Sequence, residues 1–344
     1  MGDDRLDSLG MFDAAARLGD QVRTAASAAS EVTGLPNADG VTSVVVVGMG
    51  GSGIGGDLTA AICGPLLDVP VIVPKGYELP NFVGPDSLVF AVSFSGNTEE
   101  TIEAATQAAD RGARLIVISA GGELGRLAGE WEVPWIPVDK SIPMPRAGIG
   151  AVSMPPLVVL ERMGMLQGIS AEIADAAQHL DRRAEKLSVE DSEASTLARR
   201  IGRTMPIVYG GGLLGEVAAV RWKAQFNENA KVPSFANRVP ELTHNEICGW
   251  GQHGDVTRQV FSLLLLRHGS EHPQTQRRFA LVAEICEEIV ADVYTIEAQG
   301  DTRLAQLFDL VMMGDFVSLE LAVQSGVDPG PVPVLEYIKA SLRS

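Results

Sequence analysis

Two short apolar runs, each ending in a turn of glycine and hydroxyl residues, constrain this chain most. The first is Val44-Val45-Val46-Val47, followed by Gly48-Met49-Gly50-Gly51-Ser52-Gly53. The second is Val89-Phe90-Ala91-Val92, followed by Ser93-Phe94-Ser95-Gly96-Asn97-Thr98. Apolar runs with no polar alternation fit strands covered on both faces, as in a parallel sheet. A turn that leaves such a strand and opens a helix points its first N–H groups outward, where they attract an anion. The second turn adds three hydroxyls at close spacing. Two such turns suit the three oxygens of a phosphate monoester better than one, and they point to a sugar phosphate.

The pattern continues along the chain. A helical lead-in is expected over 1–33. Strands follow at 42–48, 70–74, 87–93, 114–119 and 133–138, alternating with helices at 53–63, 98–110 and 123–129. That alternation predicts an α/β fold built on a doubly wound parallel sheet. Asn97 reads as a helix N-cap, with Glu100 completing a capping box. Residues 148–203 read as helices only, at 148–164, 171–186 and 192–203, and the polar stretch 185–193 is the expected boundary. Two domains result, 1–188 with the lead-in and helical connection, and 189–344 with a tail helix.

The second half repeats the first in diverged form. It has a strand at 205–209, the turn Gly210-Gly211-Gly212 and a helix at 214–229. Further strands are expected at 232–236, 257–266 and 292–296, and helices at 272–290 and 301–325. The glycine turn of this second half carries no hydroxyl, so a phosphate bound once per chain belongs to the first lobe. A stiff segment, Asp328-Pro329-Gly330-Pro331-Val332-Pro333, leads to a short helix at 334–342 that carries Lys339.

Composition narrows the function. A net charge of −17 argues against nucleic acid and means that local donors must hold an anionic substrate. Three scattered cysteines, Cys63, Cys248 and Cys286, suggest reduced thiols and a cytoplasmic protein. The N-terminus lacks the apolar core of a signal peptide, and no apolar run reaches membrane-spanning length.

Several candidate sites carry a plainer alternative. Gly48-x-Gly50-x-x-Gly53 formally matches a dinucleotide fingerprint, but the second strand exits into Pro74-Lys75 with no acid for a ribose. These glycines also suit tight helix–strand packing. Helix capping explains Asn97 but not Ser93 and Ser95 ahead of it. Arg146 is a lone arginine in an apolar stretch. Glu228, in Asn227-Glu228-Asn229-Ala230-Lys231, closes a helix whose inward stripe is read as Val217, Val220 and Ala224. Spacing alone leaves Glu228 open between a surface turn and a base at the negative end of the helix dipole. His244 is one of five histidines and suits a proton shuttle, although a lone histidine is more often structural. His268 and His272 have no acid or cysteine at ligand spacing, which argues against a metal, and His253 reads as a surface loop residue.

Taken together, Gly48-Met-Gly-Gly-Ser-Gly, Ser93-Phe-Ser-Gly-Asn-Thr, Pro145-Arg-Ala, Asn227-Glu-Asn-Ala-Lys, Pro240-Glu-Leu-Thr-His-Asn and the terminal Lys339 resemble the bifunctional phosphoglucose/phosphomannose isomerase family. The resemblance spans most of the chain. It implies two sugar-isomerase (SIS) domains in tandem, usually in a homodimer, and an aldose–ketose isomerase that needs no cofactor. Carried over, Gly50, Gly51, Ser52, Ser93, Ser95 and Thr98 would bind the phosphate, and Arg146 would stabilise an enediolate. Glu228 would be the base. His244, supplied by the partner subunit in this family, would open the sugar ring, with Lys339 also lining the site. Some members carry a threonine in the Pro-rich tail, linked to the mannose epimer, and here that segment has no hydroxyl. A non-catalytic SIS protein that senses a sugar phosphate is the alternative. No DNA-binding module accompanies these motifs, and residues 1–33 are too short for one.

Overall fold

The computed structural model describes residues 6–342. Residues 1–5 of the expected lead-in therefore lie outside the described part. The chain divides into two compact units. Among the described residues, one comprises 17–183 and 299–309, and the other 6–16, 184–298 and 310–342. The sequence reading divides the chain once, at 188/189. Segments 6–16 and 299–309 group with the unit that is remote from them in sequence, an assignment that only tertiary packing makes.

In the unit built on 17–183, five strands form a parallel sheet: β1 (Ser43–Val47), β2 (Val71–Ile72), β3 (Ser87–Ser93), β4 (Arg114–Ser119) and β5 (Trp135–Pro137). Their order is β2-β1-β3-β4-β5. Every residue of β1 and β3 is buried, which is why these strands read as unbroken apolar runs. Each fully buried Val or Leu contributes about 1.5–3 kcal/mol of burial free energy. The helices Gly50–Cys63, Glu99–Asp110 and Gly122–Glu130 follow β1, β3 and β4.

The other unit repeats this plan with β6 (Met205–Gly211), β7 (Phe235–Val239), β8 (Phe261–Arg267) and β9 (Asp292–Glu297), all parallel, in the order β7-β6-β8-β9. Gly210, Gly212 and Gly215 repeat the spacing of Gly48, Gly50 and Gly53. Gly50 and Gly212 share the same left-handed conformation, at φ +54° and +58°. At the outer pair of each set backbone approaches backbone. A Cβ on Gly53 would lie 2.7 Å from Gly48 O, and one on Gly215 would lie 2.7 Å from the Gly210 carbonyl carbon. The glycines therefore do serve helix–strand packing.

The helix after β6 differs from its expected form. It is α-helical over Gly212–Gln225 and ends in a π-turn, Phe226–Ala230, that carries Glu228. Its buried face also differs. Leu214, Val217, Ala218, Arg221, Trp222 and Gln225 are buried, whereas Val220 and Ala224 are half-buried. The polar members face inward because Asp315, on the helix Arg303–Gln324, answers them. Arg221 donates to Asp315 through Nε and Nη2, at 3.0 and 2.9 Å. Gln225 Nε2 donates to the same carboxylate at 2.9 Å. Trp222 Nε1 donates to Leu310 O at 2.6 Å.

Candidate functional site

The first turn runs from the end of β1 into the helix Gly50–Cys63, with Gly50 and Gly51 in its first turn. The hydroxyl of Ser52, 7% exposed, accepts the N–H of Phe94 at 3.1 Å. This bond fastens the first turn to the second. In the second turn Ser93 Oγ accepts the N–H of Gly96 at 3.1 Å and lies 2.9 Å from Thr98 Oγ1. Ser95 is exposed, and its hydroxyl accepts the N–H of Asn97 at 3.2 Å. The turn is buttressed from behind: Gly96 O accepts the N–H of Leu124, and Phe94 O accepts that of Ala120.

Capping departs from expectation. The N-cap of the helix Glu99–Asp110 is Thr98, without a side-chain capping bond. Asn97 is spent elsewhere: its Oδ1 accepts the N–H of Glu123 at 3.0 Å, tying the turn to the next βα connection.

A third piece joins these two. Arg146 sits in the 3₁₀ turn Pro145–Ala147 and is 3% exposed. A Cβ on Gly51 would lie 3.4 Å from Pro145 O and 3.6 Å from Arg146 Cα. On the other flank, a Cβ on Gly148 would lie 2.6 Å from the ring of Phe94. The arginine turn thus rests against both glycine-rich turns. Gln21 Nε2 holds it in place, donating to Ala147 O at 2.9 Å. The structure therefore brings Gly50, Gly51, Ser52, Ser93, Ser95, Thr98 and Arg146 together within one unit.

Glu228, His244 and Lys339 belong to the other unit. Glu228 is half-buried in the π-turn. Its neighbour Asn229, fully buried, donates from Nδ2 to Ser318 Oγ at 3.0 Å. His244 is exposed and closes the 3₁₀ turn Glu241–His244. Lys339 lies on the helix Pro333–Leu342, none of whose residues is buried. His253 is exposed. His272 caps the helix Pro273–Cys286 by accepting the N–H of Gln274 on Nδ1 at 3.1 Å.

The second lobe's counterpart of the Ser93–Thr98 turn reads Arg267-His268-Gly269-Ser270-Glu271-His272. Arg267 stands where Ser93 does, at the end of the strand, and Glu271 stands where Asn97 does. Arg267 Nη2 donates to Glu271 Oε2 at 2.7 Å, and Glu271 Oε1 accepts the N–H of His268 at 3.0 Å. An internal ion pair therefore occupies the turn where the first lobe presents hydroxyls.

The comparisons agree with this architecture. Residues 190–342 match the family described as bacterial phospho-glucose isomerase C-terminal SIS domain, and residues 41–129 match the SIS domain family. A bifunctional phosphoglucose/phosphomannose isomerase of Caldicellulosiruptor bescii is 33% identical over 336 residues, covering 96% of this chain and 98% of that protein. One from Aquifex aeolicus is 34% identical, covering 87% of this chain and 90% of that protein. The chain belongs to the bifunctional phosphoglucose/phosphomannose isomerase family. Among solved structures, the C-terminal domain of glucosamine-fructose-6-phosphate aminotransferase from Francisella tularensis superimposes with a TM-score of 0.72 at 14% identity, over 96% of this chain and 99% of that one. That likeness shows the two-SIS-domain fold. The sequence motif includes Asn229 and Lys231 beside Glu228 but gives neither a role, and it does not reach Ser318. The left-handed backbone of Lys231, at φ +58°, marks the place, and sequence does not display it.

Proposed function

We propose that the protein is an aldose–ketose isomerase that interconverts glucose 6-phosphate and fructose 6-phosphate through an enediolate. The observation that carries the reading is the bond from Phe94 N–H to Ser52 Oγ, which gathers two hydroxyl-bearing turns beside a buried arginine. Backbone N–H groups of Gly50 and Gly51 and the hydroxyls of Ser52, Ser93, Ser95 and Thr98 hold the phosphate. Binding energy from that remote group positions the reacting carbons. The ion pair of Arg267 and Glu271 in the second lobe supports a single phosphate site per chain.

In this mechanism His244 of the partner subunit, with Lys339, opens the ring by moving protons between the ring oxygen and a hydroxyl. Glu228 takes the proton from C2 and returns it to C1. Arg146 stabilises the enediolate oxygen as charge develops on it. The substrate carbonyl activates the adjacent C–H, so the chemistry asks for neither redox cofactor nor metal. Protonating the same enediolate on its other face gives mannose 6-phosphate, the second substrate in the relatives' names. A homodimer follows from the role given to His244, and a cytoplasmic setting fits three free cysteines. The named relatives are isomerases, so the non-catalytic sensor is not favoured.

The test is a panel of hexose 6-phosphates with purified protein in chelator, read by product sugar, alongside Glu228→Gln. The variant is expected to keep phosphate-ligand binding and lose conversion of fructose 6-phosphate. A wild-type protein that converts no hexose 6-phosphate overturns the reading, and near-wild-type turnover by the variant removes the assigned base.

A further inference from the structure

Lys231 closes the π-turn that carries Glu228, and it does so in an unusual way. Its backbone adopts the left-handed conformation, φ +58° and ψ 28°, and its N–H donates to Phe226 O. Helices commonly end in this conformation, but the residue there is usually glycine, because a Cβ costs about 1–2 kcal/mol in it. A lysine at such a place suggests that its side chain is needed. The side chain folds back onto backbone carbonyls. Nζ lies 2.7 Å from Glu228 O and 3.3 Å from Asn229 O. It also lies 3.2 Å from Asp328 O and 3.1 Å from Pro329 O, at the root of the C-terminal tail.

An ammonium is well matched to that set. Carbonyls at a helix C-terminus carry partial negative charge, and a cation there satisfies them. The same cation reaches the tail where the tail is already held. Asp328 Oδ1 accepts the N–H of Gly330 at 3.0 Å and that of Ser8 at 3.4 Å. A Cβ on Gly330 would lie 2.8 Å from Leu9. Beyond Val332 the helix Pro333–Leu342 buries no residue, so its course is set by its root.

We propose that Lys231 is a positioning residue: its ammonium clamps the main chain at Glu228 to the root of the tail and so fixes the origins of Glu228 and of the Lys339 helix together. The inference rests on the reading that both residues serve the isomerisation. In this role Lys231 acts through Glu228 and the tail, not on a reacting atom. Asn229 and Ser318 fix the other side of the π-turn, and Asn227 Nδ2 donates to Val232 O at 2.9 Å at its C-terminal edge, where the ammonium adds the tie to the tail.

Three variants of the full chain separate this role from a merely structural one. Lys231→Gly suits the left-handed backbone, so the melting temperature is expected to hold, while the clamp is lost. Lys231→Met loses the clamp and keeps the backbone cost. Lys231→Arg returns a cation of similar reach. The expected result is a fall in kcat of about tenfold or more for the Gly and Met variants, with KM within about threefold, and partial recovery in the Arg variant; displacement by about 1 Å is enough for losses of that order. Hydrogen exchange, read without substrate, is expected to speed up over 226–231 and 325–332 in the Gly and Met variants only. Wild-type kcat in Lys231→Gly, or unchanged exchange in both segments, overturns the proposal. If the wild-type protein isomerises no sugar phosphate, the functional reading fails, and the exchange data still decide whether the clamp exists.

Discussion

Ser52 and Phe94 are joined by a hydrogen bond of 3.1 Å from the N–H of one to the hydroxyl of the other. The contact ties together two turns that leave neighbouring strands. Ser52→Ala removes the acceptor and leaves a half-buried N–H without it, at a cost of about 1–1.5 kcal/mol. The expected outcome is a KM for fructose 6-phosphate raised roughly tenfold by the lost hydroxyl and the loosened turn. Steady-state kinetics check it, and an unchanged KM would show that the tie is irrelevant to binding.

Gly96 admits no side chain. Its φ is +73°, and a Cβ would lie 1.9 Å from Gly121 O. Gly96→Ala must displace main chain on one side or the other, at a cost of about 2–4 kcal/mol. We expect a lower melting temperature and loss of protection by fructose 6-phosphate in a thermal-shift assay. A variant that melts and responds like wild type would mean that the turn has room to relax.

The buried pair of Arg221 and Asp315 tests a different part of the molecule. Asp315→Asn leaves a buried guanidinium facing a neutral amide, and breaking such a pair costs about 3–5 kcal/mol. The urea midpoint is expected to fall substantially. Arg221→Met combined with Asp315→Leu is expected to lose much less, since neither charge is then stranded. Equal losses in the single and double variants would contradict this account.

The thiols are expected to differ in reactivity. Burial, assisted by Glu172, pushes the Cys63 thiol up to about 12. Burial, with Glu246, pushes Cys286 up to about 11. A thiol reacts as its thiolate, so a raised pKa keeps both inert below those values, and access is denied as well. Cys248 is exposed. Alkylation at pH 8 should therefore modify one thiol per native chain and three after denaturation. Rapid labelling of Cys63 in the native protein would contradict its placement.

What could be read in advance follows from where the information lies. The strands expected at 87–93 and 114–119 end where β3 and β4 end. Burial on both faces writes itself as an uninterrupted apolar run, and no distant residue is needed to see it. The inward turn of Arg221 and Gln225 was hidden because their partner, Asp315, lies about ninety positions away in sequence, and burial of a charge is intelligible only with its counter-charge. Asn97 misled for a related reason. Its side chain suits a cap, but the N–H of Glu123 competes for it, and the sequence does not rank the two. The two hydroxyl-bearing turns are visible in the sequence as similar strand ends, but the bond from Phe94 to Ser52 that joins them is not, because its donor is a main-chain N–H. Lys231 was not legible either, since its acceptors are main-chain oxygens that every residue possesses.

The salt link between Arg267 and Glu271 has a further consequence for a molecule made of two related halves. One copy carries its anion covalently, as part of its own chain, and so is finished when it folds. Under the proposed function, the other is completed by a guest from solution. Duplication followed by this internal filling would let half of the protein abandon recognition and vary its helix ends for other chemistry, while demand for the metabolite stays at one molecule per polypeptide.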